Sequence, residues 1–138
     1  MVNAELLRKR LARLEEYLSI LSHISRYSFE EFIADPERYG AAERFLQLSI
    51  ESINDLGNHI ISDLKLGEVN WQSDIPQLLA KNGYLSQEIQ QLWIKMIGFR
   101  NVLVHEYMDV DRRLVYEVLQ NNLGEFRAII AVLSSWLS

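Results

Sequence analysis

The sequence predicts an all-α protein, an up-and-down bundle of four long helices with shorter helices between them. Three observations carry this expectation. Leucine and isoleucine recur at alternating spacings of four and three, which places them on one stripe of a helix. Serine, aspartate, proline and glycine stand where such stripes begin and stop. No segment shows the period-two alternation of a half-buried strand.

In the first segment Leu7, Leu11, Leu14, Leu18 and Leu21 share a stripe, and Arg8, Lys9, Arg13, Glu15 and Glu16 take other faces. Ser28-Phe29-Glu30-Glu31 has the form of a capping box and starts a short second helix. Asp35-Pro36 is an N-cap followed by proline at the first helical position. From residue 36 a long helix is expected to run to about 66, with Gly67 as its stop. Its stripe is Leu46, Ile50, Ile53, Gly57, Ile60 and Leu64. A glycine within a helix costs about 1 kcal/mol relative to alanine, so Gly57 is expected to admit a neighbouring helix at close range.

Residues 67–74 form a loop, with Asn70, Ser73 and Asp74 as turn and cap candidates. A short helix over 75–80 ends at Asn82-Gly83, and Ser86 opens the next one. There the expected stripe is Ile89, Leu92, Met96, Phe99 and Leu103. Asp109 and Asp111 are cap candidates for a single last helix, whose seam is Tyr116, Leu119, Leu123, Phe126, Ile130, Leu133 and Leu137. Near-3.5 spacing of this seam implies shallow crossing angles.

The 138 residues fit one domain, 1–138, better than two. A chain of this size buries roughly 68–70% of its unfolded surface and holds a core without metals or disulfides. There is no cysteine, which excludes a disulfide scaffold, thiolate metal sites and a cysteine nucleophile. The first residues lack the apolar centre of a signal peptide, and no apolar run is long enough to span a bilayer. The expectation is a cytoplasmic protein without membrane association. The formal net charge of −5 argues against broad coating of nucleic acid, where phosphate contacts dominate affinity. An enzyme that touches one or two phosphates remains compatible with it.

One segment changes character. Gly98-Phe99-Arg100-Asn101 interrupts an apolar helix with a cation and an amide, and His105 and Tyr107 follow among Val102, Leu103 and Val104. On an ideal helix Asn101 and His105 lie one turn apart on the same face. Arg100 and His105 are five residues apart and point roughly 140° away from each other. For both to meet one phosphate, the helix must end or loosen near His105, or a second protomer must complete the site.

Arg100-x4-His105-x-Tyr107 resembles the signature of HEPN-domain ribonucleases, an arginine followed after four to six residues by a histidine. The fuller run from Arg100 to Tyr107 is similar to the HepT branch, the toxins of type VII-like HepT–MntA (HEPN–MNT) toxin–antitoxin modules. Residues 51–60 also look like that family's long central helix, and the helix order fits over the whole chain. The resemblance implies an HEPN-like bundle, endoribonuclease activity on RNA such as tRNA or mRNA, and a homodimer with a composite site. It also implies a partner, a minimal nucleotidyltransferase antitoxin that transfers AMP to a tyrosine of the motif. Tyr107 is the only tyrosine there, and so is the candidate acceptor; some relatives carry another two residues after the arginine, where this chain has Val102.

These residue types suit the chemistry. RNA is cut when its own ribose 2′-OH attacks the adjacent phosphorus. That requires removal of the 2′-OH proton, donation of a proton to the leaving 5′-oxygen and relief of charge on the phosphorane. Histidine, with an ordinary pKa of about 6.5, performs either proton transfer near neutrality. Arginine offers a fixed fork of donors and stays charged. The scheme calls for no metal and no cofactor. The motif supplies one histidine per chain where an acid and a base are needed, and a two-fold dimer pairing two His105 side chains supplies both.

Each piece also has a plainer reading. Arg100 pairs structurally with Glu51 or Asp55, or such a carboxylate aims it. Asn101 orients His105 or caps a helix end. His59, one turn after Asp55, makes a solvated contact, and His23 has no distinguishing context. Glu51, Asp55 and Asn58 form a polar stripe that either lines a cleft or faces solvent. The competing functions are a non-catalytic HEPN module that binds a nucleotide or RNA, and a purely structural helical assembly.

Overall fold

Seven α-helices and no strand make up the described part of the chain, residues 4–105 and 110–136 of a computed structural model. They are α1 (Ala4–Ile24), α2 (Phe29–Ala34), α3 (Pro36–Leu64), α4 (Asp74–Lys81), α5 (Gln87–His105), α6 (Arg112–Asn121) and α7 (Leu123–Ser135). The leucine stripe of α1 is buried as the spacing predicts; α1 packs on α3, where Leu46, Ile50, Ile53 and Ile60 are buried as well. Each such side chain taken out of water contributes roughly 1.5–3 kcal/mol. α5, α6 and α7 close around α3, so the long central helix touches most of the bundle.

Four of the expected caps form, whereas Ser73, at the start of α4, makes no side-chain cap bond. Ser28 Oγ accepts the Glu31 N–H at 3.2 Å, and Glu31 Oε1 accepts the Ser28 N–H at 2.9 Å. The Ser28 backbone N–H, and to a lesser degree its side chain, favours the ionised carboxylate and holds Glu31 below its ordinary pKa. Asp35 Oδ1 accepts the Glu37 N–H at 2.9 Å, with Pro36 opening α3. Ser86 Oγ accepts the Ile89 N–H at 3.2 Å, and Asp111 Oδ1 accepts the Arg113 N–H at 2.9 Å. Asp109 lies outside the described residues.

α3 stops earlier than expected. Lys65, not Gly67, is the left-handed residue that caps it, with φ 54° and ψ 49°. The Leu66 N–H then donates to the Ile61 carbonyl at 3.0 Å, the 6→1 bond of a Schellman turn. Gly67 serves a close approach instead: a Cβ there would stand 2.9 Å from Leu78 Cδ2.

α5 keeps Met96 and Leu103 of the expected stripe in the core but turns the buried face toward Trp93 and Ile97. Trp93, Met96, Ile97 and Leu103 are buried, while Ile89, Leu92 and Phe99 are only partly so. Gly57 is the reason. A Cβ at that position would lie 2.6 Å from Ile75 Cγ2 and 2.9 Å from the Trp93 ring, so the missing side chain makes the slot that Trp93 fills. Trp93 Nε1–H donates to Asn54 Oδ1 at 2.8 Å, which satisfies both buried polar groups.

The expected last helix is two helices. Asn122, with φ −117° and ψ −2°, separates α6 from α7. Its N–H closes α6 on Val118 at 2.9 Å, and its carbonyl accepts the Glu125 N–H at 3.0 Å as α7 begins. Its amide also donates to the Glu125 carboxylate. The seam survives the break: Leu119, Leu123, Phe126, Ile130 and Leu133 are buried, and Leu137 lies outside the described residues. Among the described residues no helix is long and apolar enough to cross a membrane.

Candidate active site

The face of α3 opposite its apolar stripe carries Glu51, Asp55 and Asn58 at helical spacing. Arg100, near the end of α5, reaches across to it. Arg100 Nε and Nη2 both donate to Glu51 Oε2, at 3.0 and 2.8 Å. Gln47, one turn earlier on α3, donates its amide to the same oxygen at 3.1 Å. Arg100 Nη1 faces Asn101 Oδ1 at 3.4 Å. Both ends of the ion pair are partly exposed, so the bridge orients the guanidinium more than it stabilises the fold.

Asp55 does not take Arg100. It pairs with Arg10 of α1 and stands 3.9 Å from His59 Nε2. Glu51, Asn54, Asp55, Asn58, Gln72 and Arg100 together line an open cleft of about 300 Å³. The polar stripe on α3 is therefore the wall of a cleft, and the structural pairing of Arg100 is with Glu51. A larger groove, about 590 Å³, runs between α1 and α7 past His23, Arg26 and Arg127, but neither Arg100 nor His105 lines it. The smaller cleft is the one that brings the motif arginine against oriented polar partners.

His105 is the last residue of α5 and is exposed. α5 is helical from Arg100 through His105, so the two side chains leave the axis roughly 140° apart. His105 is not among the residues lining the Arg100 cleft. Asn101 bonds to Arg100 and lies within the last turn of α5, four residues before its end. Tyr107 lies outside the described residues. Among the described residues no three His, Cys, Asp or Glu side chains are grouped to hold a metal ion.

Five contributing residues went unseen in the sequence. Gln47 had a signal, its i,i+4 relation to Glu51. Arg10, Gln72 and the Asn54–Trp93 pair come together only through packing between elements.

The HepT-like ribonuclease family matches residues 8–133. A tRNA nuclease HepT of Aphanizomenon flos-aquae is 30% identical over 99% of this chain and 95% of its own. An mRNA nuclease HepT of Shewanella oneidensis is 33% identical over 65% of this chain and 68% of its own. The fold is similar to that of a tri-AMPylated Shewanella oneidensis HEPN toxin solved in complex with an MNT antitoxin, with a TM-score of 0.86 and 25% identity, covering 98% of this chain and 99% of that one. An arginine–histidine motif on the penultimate long limb of such a bundle, with a match across nearly its full length, places the chain in a family: it belongs to the HepT-like ribonucleases.

Proposed function

We propose that this chain is the toxin of a toxin–antitoxin pair, a metal-independent endoribonuclease whose active site is completed by two protomers. The observation that carries the reading is the Arg100 guanidinium, aimed by Glu51 at the edge of a polar cleft on the same helix as an exposed His105. Arg100 holds a phosphate of the RNA. One His105 takes the proton of the ribose 2′-OH, whose oxygen attacks phosphorus. The bond to the 5′-oxygen breaks, and the second protomer's His105 protonates that oxygen. Divergence of Arg100 and His105 on one helix supports the dimer, because each arginine then works with a histidine approaching from the other chain. Asn101 and Asp55 support the geometry, Asn101 at the guanidinium and Asp55 through Arg10.

The names of the curated relatives support tRNA or mRNA as the substrate class. The AMPylated relative in complex with its antitoxin supports a nucleotidyltransferase partner here, with Tyr107 as acceptor. AMP at Tyr107 would set a phosphodiester charge and bulk two residues from His105, repelling the substrate phosphate. The deciding experiment incubates the purified chain with total RNA or tRNA, with and without a chelator, beside His105→Ala. Cleavage that survives the chelator and disappears in the variant is expected; equal cleavage by the variant overturns the reading.

A further inference from the structure

Trp71 is 75% exposed, against 39–41% for Ile20, Ile33 and Leu114, the other large apolar side chains at the surface of the described residues. An indole offers 150–250 Å² of contact area and is ordinarily spent on a core or an interface. Trp71 is also held on a tied-down loop. Asp74 Oδ2 accepts the N–H groups of Asn70 and Trp71, each at 2.9 Å. The Trp71 carbonyl accepts the Asp74 N–H at 2.9 Å, and the Gln72 carbonyl accepts the Ile75 N–H at 3.1 Å. Little backbone entropy remains to be lost when something settles on this ring.

The loop borders the cleft already described. Gln72, the residue after Trp71, lines the cleft with Arg100 and Asn58. Gln72 and Asn58 are exposed carboxamides from two separate elements. A carboxamide carries a donor pair and an acceptor, the combination that reads the edge of a base. Single-stranded RNA is recognised by stacking unpaired bases on aromatic rings while the phosphates meet cations. An acidic chain that does not coat RNA by charge needs such a local hold.

Resting on the ribonuclease reading above, we propose that Trp71, Gln72 and Asn58 form a nucleobase subsite beside Arg100, with a base of the RNA stacked on Trp71 and its edge read by the two carboxamides. The cleft therefore selects an unpaired residue, and cleavage falls in loops and single strands rather than in helices.

The test uses the full chain and a short mixed-sequence oligoribonucleotide with every ribose 2′-O-methylated, so that it binds without being cut. Binding quenches tryptophan fluorescence in the wild type, because Trp93 is buried and Trp136 partly so, leaving Trp71 as the accessible emitter. Trp71→Ala weakens binding by roughly tenfold, and Trp71→Phe recovers most of it. Gln72→Ala and Asn58→Ala flatten the base preference at the cut sites on total RNA. Unchanged affinity in Trp71→Ala overturns the proposal while leaving the nuclease intact. So does a Trp71→Ala chain that binds RNA normally but loses self-association, which would assign the ring to a contact between copies. A wild-type chain that neither binds the oligonucleotide nor cuts RNA overturns the ribonuclease reading, and the subsite with it.

Discussion

Glu51 of α3 receives two hydrogen bonds from Arg100 of α5 on one oxygen, and Gln47 donates to that same oxygen. The carboxylate thus fixes the plane of a guanidinium that arrives from another helix. Glu51→Gln keeps the size and removes the charge. Hydrogen bonds to charged groups contribute roughly 1.5–3 kcal/mol, so RNA cleavage should fall about tenfold to a hundredfold. Arg100→Lys should lose as much, because an ammonium cannot copy the fork. Turnover beside circular dichroism checks both, and full activity in Glu51→Gln would remove Glu51 from the positioning role.

His105 is exposed at the end of α5, so His105→Ala should leave helical content unchanged while abolishing cleavage. If two protomers share one site, equal amounts of wild type and variant should, after exchange, show about a quarter of the activity of an all-wild-type sample by random pairing. Half of that activity would mean that each chain works alone.

Tyr107 is the proposed point of control. Co-expression with a cognate nucleotidyltransferase and ATP should add one or more AMP masses to the chain, and Tyr107→Phe should lose them. Intact-mass spectrometry decides. An unmodified wild type, or an unchanged pattern in the variant, would count against this acceptor.

Gly57 lies where α4 and α5 both press on α3. Alanine there would improve helix propensity by about 1 kcal/mol. Its methyl would meet the Trp93 ring at 2.9 Å and Ile75 at 2.6 Å, and overpacking costs about 1–3 kcal/mol. Gly57→Ala should therefore lower the urea midpoint without changing the slope. A higher midpoint would show that Trp93 moves aside without cost.

Burial raises the Glu43 carboxyl above its ordinary value near 4.5, and the nearby Arg112 charge lowers it only in part. The folded chain thus holds this proton to higher pH than the unfolded chain does. The stability that the neutral acid supplies is present below the ordinary carboxylate range and is lost as pH rises through the folded value. Glu43→Gln should flatten that decline and gain relative stability toward neutral pH. Parallel pH–stability curves for the two chains would refute it.

The sequence by itself determined much of what depends on neighbours along the chain. The caps at Ser28, Asp35, Ser86 and Asp111 close over three or so residues, and composition alone specifies them. The leucine stripe of α1 and the Arg100–His105 spacing, with the angle it imposes, are equally local. Tertiary structure decided the choices between near-equal local options. α5 carries enough apolar residues for two stripes, and the slot at Gly57 selected the one with Trp93. Lys65 accepted a left-handed conformation because the turn into Leu66 satisfies the end of α3, although Gly67 stood two residues on. Glu51 and Asp55 are both one helix away from Arg100, and Arg10 of α1 took Asp55, leaving Glu51 to aim the guanidinium. Packing also brought Gln72, far from the motif in sequence, onto the wall of its cleft. Contacts between distant elements are settled by shape and charge summed over the whole bundle, and no short window of residues contains that sum.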